Sequence, residues 1–293
     1  MRIKTILLCA LLIVILAACK PQAEVIPATA EPTVEITLEP TPTMVPMAAL
    51  VNGEGITLVD FQAELSRYQN SPTTGQAAAE KPAEEIVLDS MIENLLFKQG
   101  AVENGYQSTP EEIQQKVDQL ITRVGGNAAF DSWMQQNGYD LDSLKSALAD
   151  SIAAAWMRDK IISEVPSTAE QVHVLQVLVF DEAEAQGILQ QVRTGVDFAT
   201  LAEQYDPITG GDLGWFPRGY LLQPDVETAA FDLQPGGVSD VIATSSGYHI
   251  IQVVEREEQH TLSPDAYAVL QQKALQDWIA SKKQASQIET FIQ

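Results

Sequence analysis

Three glycines around one acid, ending in two aromatics, set Gly210-Gly211-Asp212-Leu213-Gly214-Trp215-Phe216 apart from the rest of the chain. Glycine adopts backbone that other residues avoid, and aspartate holds turns through its own backbone, so this composition suits a tight turn feeding an exposed apolar wall. Downstream, Gly247-Tyr248-His249-Ile250-Ile251-Gln252-Val253 reads as a strand carrying one of only three histidines. An apolar wall beside a histidine can make a largely apolar site with a polar floor. His249 also shares a strand face with Ile251 and Val253, so on the residues alone it reads first as a core histidine with satisfied partners. Trp215 and Phe216 could equally be core, and Asp212 reads as the structural acid of its own turn. Three scattered histidines do not make a metal site. No glycine-rich phosphate loop and no Ser/His/Asp signature occurs. The expectation is therefore no metal and no cofactor.

The N-terminus adds an address. Arg2 and Lys4 precede an apolar run, Ile6 to Leu16, that is too short to span a bilayer as a mature helix. Leu16-Ala17-Ala18-Cys19 resembles the bacterial lipobox, which implies cleavage after Ala18 and a lipid on Cys19, with residues 1–18 as signal peptide. Cys9 leaves with the signal, so no disulfide is possible within the mature chain. Residues 19–48 alternate proline with Thr, Ala and Glu and show no apolar period, which reads as an extended tether. With 17 basic against 40 acidic residues, the net charge is −23. Nucleic acid is an unsuitable partner, since phosphate contacts need clustered Lys and Arg. The same acidity opposes electrostatic docking on anionic lipid, so membrane attachment has to come from the acyl chain.

The remaining chain divides near Pro166. Before it, residues 49–164 are helical in pattern, after a short strand and the turn Asn52-Gly53. Glu84 to Val102 places Leu88, Ile92, Leu95 and Leu96 on one face. Thr109-Pro110-Glu111-Glu112 is a capping box with proline in the first turn, and Gly125-Gly126 ends the helix it starts. Asp140 caps a further helix through Leu144, Leu148, Ile152 and Trp156. After Pro166 the period shifts. Gln171 to Val179 is a near-continuous apolar strand. Helices follow over Glu182 to Arg193 and from Asp197, then the glycine turn, a helix over Pro224 to Phe231, and strands at Val241-Ile242 and Tyr248 to Val254. Ser263 and Pro264 open a last amphipathic helix through Trp278, and Ile288, Phe291 and Ile292 continue its apolar content.

With Gly-Gly-Asp-Leu-Gly-Trp-Phe and Gly-Tyr-His-Ile-Ile in this order, residues 168–257 resemble the parvulin family of peptidyl-prolyl isomerases. Val51-Asn52-Gly53 and Asn94 to Ala101 resemble the N-terminal segment of SurA- and PrsA-type extracytoplasmic foldases. The resemblance implies an α+β fold. A helical SurA-like chaperone domain (49–164) would be completed by a C-terminal helix (262–293), beside a parvulin-like domain (168–257) whose antiparallel sheet is wrapped by helices. It also assigns roles. His249 matches a family histidine. The other family histidine is replaced by Gln176, which implies weakened activity and loss of a partner that would fix the tautomer of His249. His173, three residues earlier, lies on the opposite strand face. Asp206 falls at the acid position. The family's apolar proline pocket falls on Leu221 or Leu222, then Val226 and Phe231, and Trp215 and Phe216 could add to it. His260 reads as solvated.

Two functions stay open. One is a membrane-anchored, extracytoplasmic prolyl isomerase whose partners are unfolded or nascent exported polypeptides with X-Pro bonds. The other is a holdase-type chaperone whose parvulin-like domain only docks peptide. A solute-binding lipoprotein is disfavoured, because no pair of alternating strand-helix lobes is visible.

Overall fold

Asn52 and Gly53 both hold positive φ (54° and 84°), the geometry a two-residue hairpin turn demands. They fold β1 (Met47–Val51) back on β2 (Glu54–Thr57). The sequence suggested a helix directly after this turn; a second strand intervenes. The computed structural model describes residues 45–70 and 81–292, so the lipobox-like Leu16 to Cys19 and the tether up to residue 44 lie outside the described residues.

Thr57 caps α1 (Leu58–Gln69) by accepting from the Asp60 amide. Four helices follow: α2 (Ala83–Glu103), α3 (Pro110–Val124), α4 (Asn127–Gln136) and α5 (Leu141–Ser163). The capping box is formed. Thr109 Oγ1 accepts from the Glu112 amide at 3.2 Å, and the Glu112 carboxylate accepts from the Thr109 amide at 2.7 Å. Gly125 then stops α3 in the left-handed conformation at φ 102°. Leu88, Ile92 and Leu96 bury against the β1–β2 hairpin, while Phe97 and Ala101 bury against Ala153, Ala154 and Met157 of α5.

The chain's end returns to this helical body. In α9 (Pro264–Ala285) Trp278 stacks on Phe97 at 4.8 Å, with Lys282 paired to Glu103 and Lys283 to Glu93. Gly100 makes the contact possible, because a Cβ there would lie 2.6 Å from the Trp278 ring. Beyond α9 the expected helical continuation is absent. Ile288–Thr290 instead forms β7 and completes a three-stranded sheet, β2-β1-β7. Asn52 fixes it there, with its amide donating to Gln287 O (2.8 Å) and its Oδ1 accepting from Gln287 N (3.0 Å). A three-residue strand has no readable period of its own. The last helix thus packs on α2 and α5 of the helical body.

Between α5 and α9 lies a four-stranded antiparallel sheet in the order β4-β3-β6-β5. Its strands are β3 (Thr168–Val179), β4 (Asp212–Pro217), β5 (Ile242–Thr244) and β6 (Gly247–Thr261). Successive residues of β3 alternate faces. Val177 and Val179, with Ile250 of β6, pack beneath α6 (Glu182–Arg193) and α7 (Phe198–Tyr205). Val172 and Val174, with Ile251 and Val253, pack beneath α8 (Pro224–Asp232). The fold is α+β, with helices on both faces of an antiparallel sheet.

Candidate functional site

Strand register brings Gln176 and His249 together. Gln176 lies opposite Ile251, and Leu178 opposite His249. Gln176 and His249 are therefore diagonal neighbours on one face, within reach of a long side chain. His249 Nδ1 lies 3.2 Å from Gln176 Oε1, and Nε2 lies 2.9 Å from the Thr244 hydroxyl on β5. The amide oxygen of Gln176 can accept from a protonated Nδ1, and Nε2 faces the Thr244 hydroxyl, which also lies 3.3 Å from Gly247 O. Gln176 is therefore a polar partner of the His249 ring. His249 is only 3% exposed. That burial holds its pKa below the ordinary histidine value, because a buried imidazolium is poorly solvated. The ring is neutral at pH 7.

The other half of the Gln176 amide remains available. Its Nε2 makes no hydrogen bond among the described residues, and the side chain is half-buried rather than sealed. Thr244 was not singled out in the sequence. It sits in Ala243-Thr244-Ser245-Ser246, a polar turn without periodicity, and only the β5–β6 register aims its hydroxyl at the ring. The Ser246 amide donates to Thr244 Oγ1 at 3.1 Å and steadies it.

An apolar cluster adjoins this floor on the same face. Phe216 and Phe231 meet edge-on at 6.1 Å, Val226 packs with them, and all three are buried. Leu221 is half-buried against the cluster. The Glu227 carboxylate orients the loop that bears it, accepting from the amides of Gly219 (2.7 Å), Tyr220 (3.0 Å) and Leu221 (3.0 Å). Leu222 is 92% exposed and takes no part in the cluster.

Two expected members lie elsewhere. Trp215 precedes Phe216 in β4, so it faces the opposite side of the sheet. There it stacks between His173 (5.7 Å) and His260 (4.1 Å). His260 is accordingly not simply solvated: it stacks on Trp215 and lies 2.8 Å from a Glu257 carboxylate oxygen. His173 is on that far face as expected, with Nε2 2.8 Å from Asp212 Oδ1. Asp212 also accepts from the Gly214 amide, in keeping with its structural reading. Asp206 is engaged by its own turn. Its carboxylate accepts from the Thr209 hydroxyl and from the amides of Ile208 and Thr209, which holds its pKa below the usual carboxylate value. None of its hydrogen bonds reaches Gln176 or His249. Among the described residues, no group of three potential metal ligands occurs.

Comparison with known proteins matches two stretches to family models. Residues 43–148 match a SurA-like N-terminal domain, and residues 180–255 match a PPIC-type PPIASE domain. The second match contains His249, Thr244 and the α8 cluster, while Gln176 lies just before it. The chain is 32% identical over 192 residues to the "Foldase protein PrsA" of Geobacillus sp. (strain WCH70), covering 60% of this chain and 64% of that protein. It is 34% identical over 164 residues to "Foldase protein PrsA 3" of Bacillus cereus, covering 52% of this chain and 56% of that protein. Both matches therefore span less than two thirds of the relatives' own length. A crystal structure of Peptidylprolyl Isomerase (PrsA) from Bacillus cereus is 24% identical, covers 83% of this chain and 87% of that one, and has a TM-score of 0.44, a likeness too loose to transfer any residue's role. Residues 43–148 are thus similar to SurA-like N-terminal domains and residues 180–255 to PPIC-type PPIASE domains, in that order along the chain.

Proposed function

We propose that this protein is a membrane-anchored, extracytoplasmic peptidyl-prolyl cis-trans isomerase that assists the folding of exported proteins. The observation that carries the reading is the hydrogen-bonded series Gln176–His249–Thr244 beside the Leu221–Val226–Phe231–Phe216 cluster. Rotation about a peptide bond faces a barrier of ~18–20 kcal/mol. At X-Pro bonds the isomers differ by only about 0.5–1 kcal/mol, so lowering the barrier is the whole task. Half-buried Leu221 offers the surface a prolyl ring can touch, with Val226, Phe231 and Phe216 backing it. Contact there strips water from the amide and favours its less polar, twisted state. The free Nε2 of Gln176 can then donate to the twisted carbonyl, while His249, held neutral and oriented by Thr244, keeps Gln176 in place. In this reading Asp206 and Trp215 act structurally.

Lipid on Cys19, the tether of residues 19–48 and the chaperone role of residues 49–164 belong to the same proposal. No helix among the described residues is long and apolar enough to cross a membrane, so acylation would supply the anchor. Label from a fatty-acid analogue is expected on the wild type and absent from Cys19→Ala; label retained by the variant refutes the anchor. The second reading, a holdase that docks peptide without turnover, draws support from the covered state of Val226 and Phe231, only 1% and 3% exposed. A protease-coupled assay on proline tetrapeptides separates the two. Turnover that falls in Gln176→Ala supports the isomerase. No turnover, with suppression of client aggregation that is unaffected by His249→Ala, supports the holdase.

A further inference from the structure

Strand β3 runs past its partner on one side. Its ladder with β6 continues to Val179, but pairing with β4 ends at Leu175 opposite Asp212. The last bond on that side is from Gln176 N to Gly211 O, at 2.7 Å. In an antiparallel sheet every second residue turns its N–H and C=O to the same side. Leu178 therefore turns both toward the side where β4 has ended. A depression of about 380 Å³ lies there, lined by Leu178, Val179, Phe180, Asp181, Glu184 and Tyr205. Phe180 is 83% exposed at its margin. Of the lining residues, Leu178 is the register partner of His249, whereas Glu184 and Tyr205 belong to α6 and α7 on the other face of the sheet.

Its charge is one-sided. Asp181 Oδ1 caps α6 by accepting from the Glu184 amide at 2.9 Å, and burial together with the nearby Glu184 carboxylate raises the pKa of the Tyr205 phenol. Neither acid forms an ion pair among the described residues, and no Lys or Arg lines the depression. An unpaired strand edge suits an extended backbone, an exposed aromatic suits an apolar side chain, and unpaired carboxylates suit a cation. We infer that this edge docks the extended segment of a polypeptide beside the proline being isomerised, and that the preferred segment carries a lysine or arginine. The inference rests on the isomerase reading for the identity of its occupant.

The test uses the full chain and fluorescein-labelled proline peptides that differ only in flanking residues: lysines, alanines or glutamates, on either side of the proline. Binding is read by anisotropy and turnover by the protease-coupled assay. Two exposed carboxylates, each contributing roughly 0.2–1 kcal/mol, give about a thirtyfold preference at most for lysine over glutamate peptides at low salt. Asp181→Asn/Glu184→Gln retains the cap. It is expected to bring the lysine and glutamate peptides within about twofold, with the alanine peptide unchanged. Phe180→Ser, at an exposed position, is expected to weaken all three. Equal binding of the lysine and glutamate peptides by the wild type overturns the inference, as does a preference that survives the double substitution. Turnover without charge selectivity defeats the docking edge alone. Charge-selective binding without turnover of any peptide defeats the isomerase reading and leaves the edge standing.

Discussion

Replacing Gly100 by alanine tests how the C-terminal helix is held. In an open helix this change stabilises by roughly 0.5–1 kcal/mol, because glycine loses more backbone freedom on folding. Here the added Cβ would lie 2.6 and 2.8 Å from two ring carbons of Trp278. The ring cannot yield freely. It stacks on Phe97 at 4.8 Å with the planes only 9° apart, and Arg158 covers Phe97 at 4.5 Å. Overpacking of this kind costs about 1–3 kcal/mol. The sign should therefore reverse, with a net loss of about 1 kcal/mol and a fall in melting temperature of about 2–4 °C for a chain of this size. The double-mutant cycle sharpens the point. In a Trp278→Ala background the obstruction is gone, and Gly100→Ala should stabilise by about 0.5–1 kcal/mol, a coupling of roughly 1–3 kcal/mol. Urea unfolding followed by circular dichroism measures all four corners. Stabilisation by Gly100→Ala in the wild-type background, equal to that in the Trp278→Ala background, would refute the packing of α9 on α2.

Other sites give equally direct outcomes. Gly211→Ala places a Cβ 2.1 Å from Gln176 O at φ 71°, a clash of backbone against backbone that side-chain motion cannot relieve; loss of at least about 2 kcal/mol of stability and of peptide turnover is expected, and a wild-type melt would contradict it. Glu227→Ala leaves the amides of Gly219, Tyr220 and Leu221 without their shared acceptor; hydrogen exchange at these amides should accelerate by tenfold or more, with peptide affinity falling as Leu221 loses its position. His249 has a depressed pKa in the fold, so the unfolded chain binds its proton first as pH falls. Stability from this group is fully present above the unfolded value near 6.5, and is lost as pH falls below it toward the folded pKa. Denaturation midpoints from pH 8 to pH 5 should show a decline for the wild type that is reduced in His249→Gln.

What could be read from the sequence, and what could not, follows from the range of the interactions. Helices α2, α3 and α5 announced themselves through apolar period and local caps such as Thr109 and Asp140, which involve residues three apart. The pairing of Gln176 with His249 was legible once both strands were identified, because one face and a register suffice. Trp215 and Phe216 were grouped although they are neighbours on a strand, and strict alternation sends them to opposite faces. Asp206 carried the right charge at the right distance in sequence, but its acceptor sites are filled by the turn it starts. Thr244 and β7 gave no signal. One depends on a hairpin register, and the other on Asn52, about 235 residues away along the chain.

Magnetisation-exchange NMR on a proline tetrapeptide at equilibrium, with the full chain in catalytic amount, reads turnover at this site without a coupled protease. Cis-trans exchange faster than the uncatalysed rate is expected. His249→Ala should slow it by about tenfold or less, the worth of one hydrogen bond at roughly 0.5–1.5 kcal/mol, and Gln176→His should raise it. Exchange at the uncatalysed rate with both the wild type and Gln176→His would contradict the claim that Gln176, His249 and Thr244 form the floor of an isomerase site.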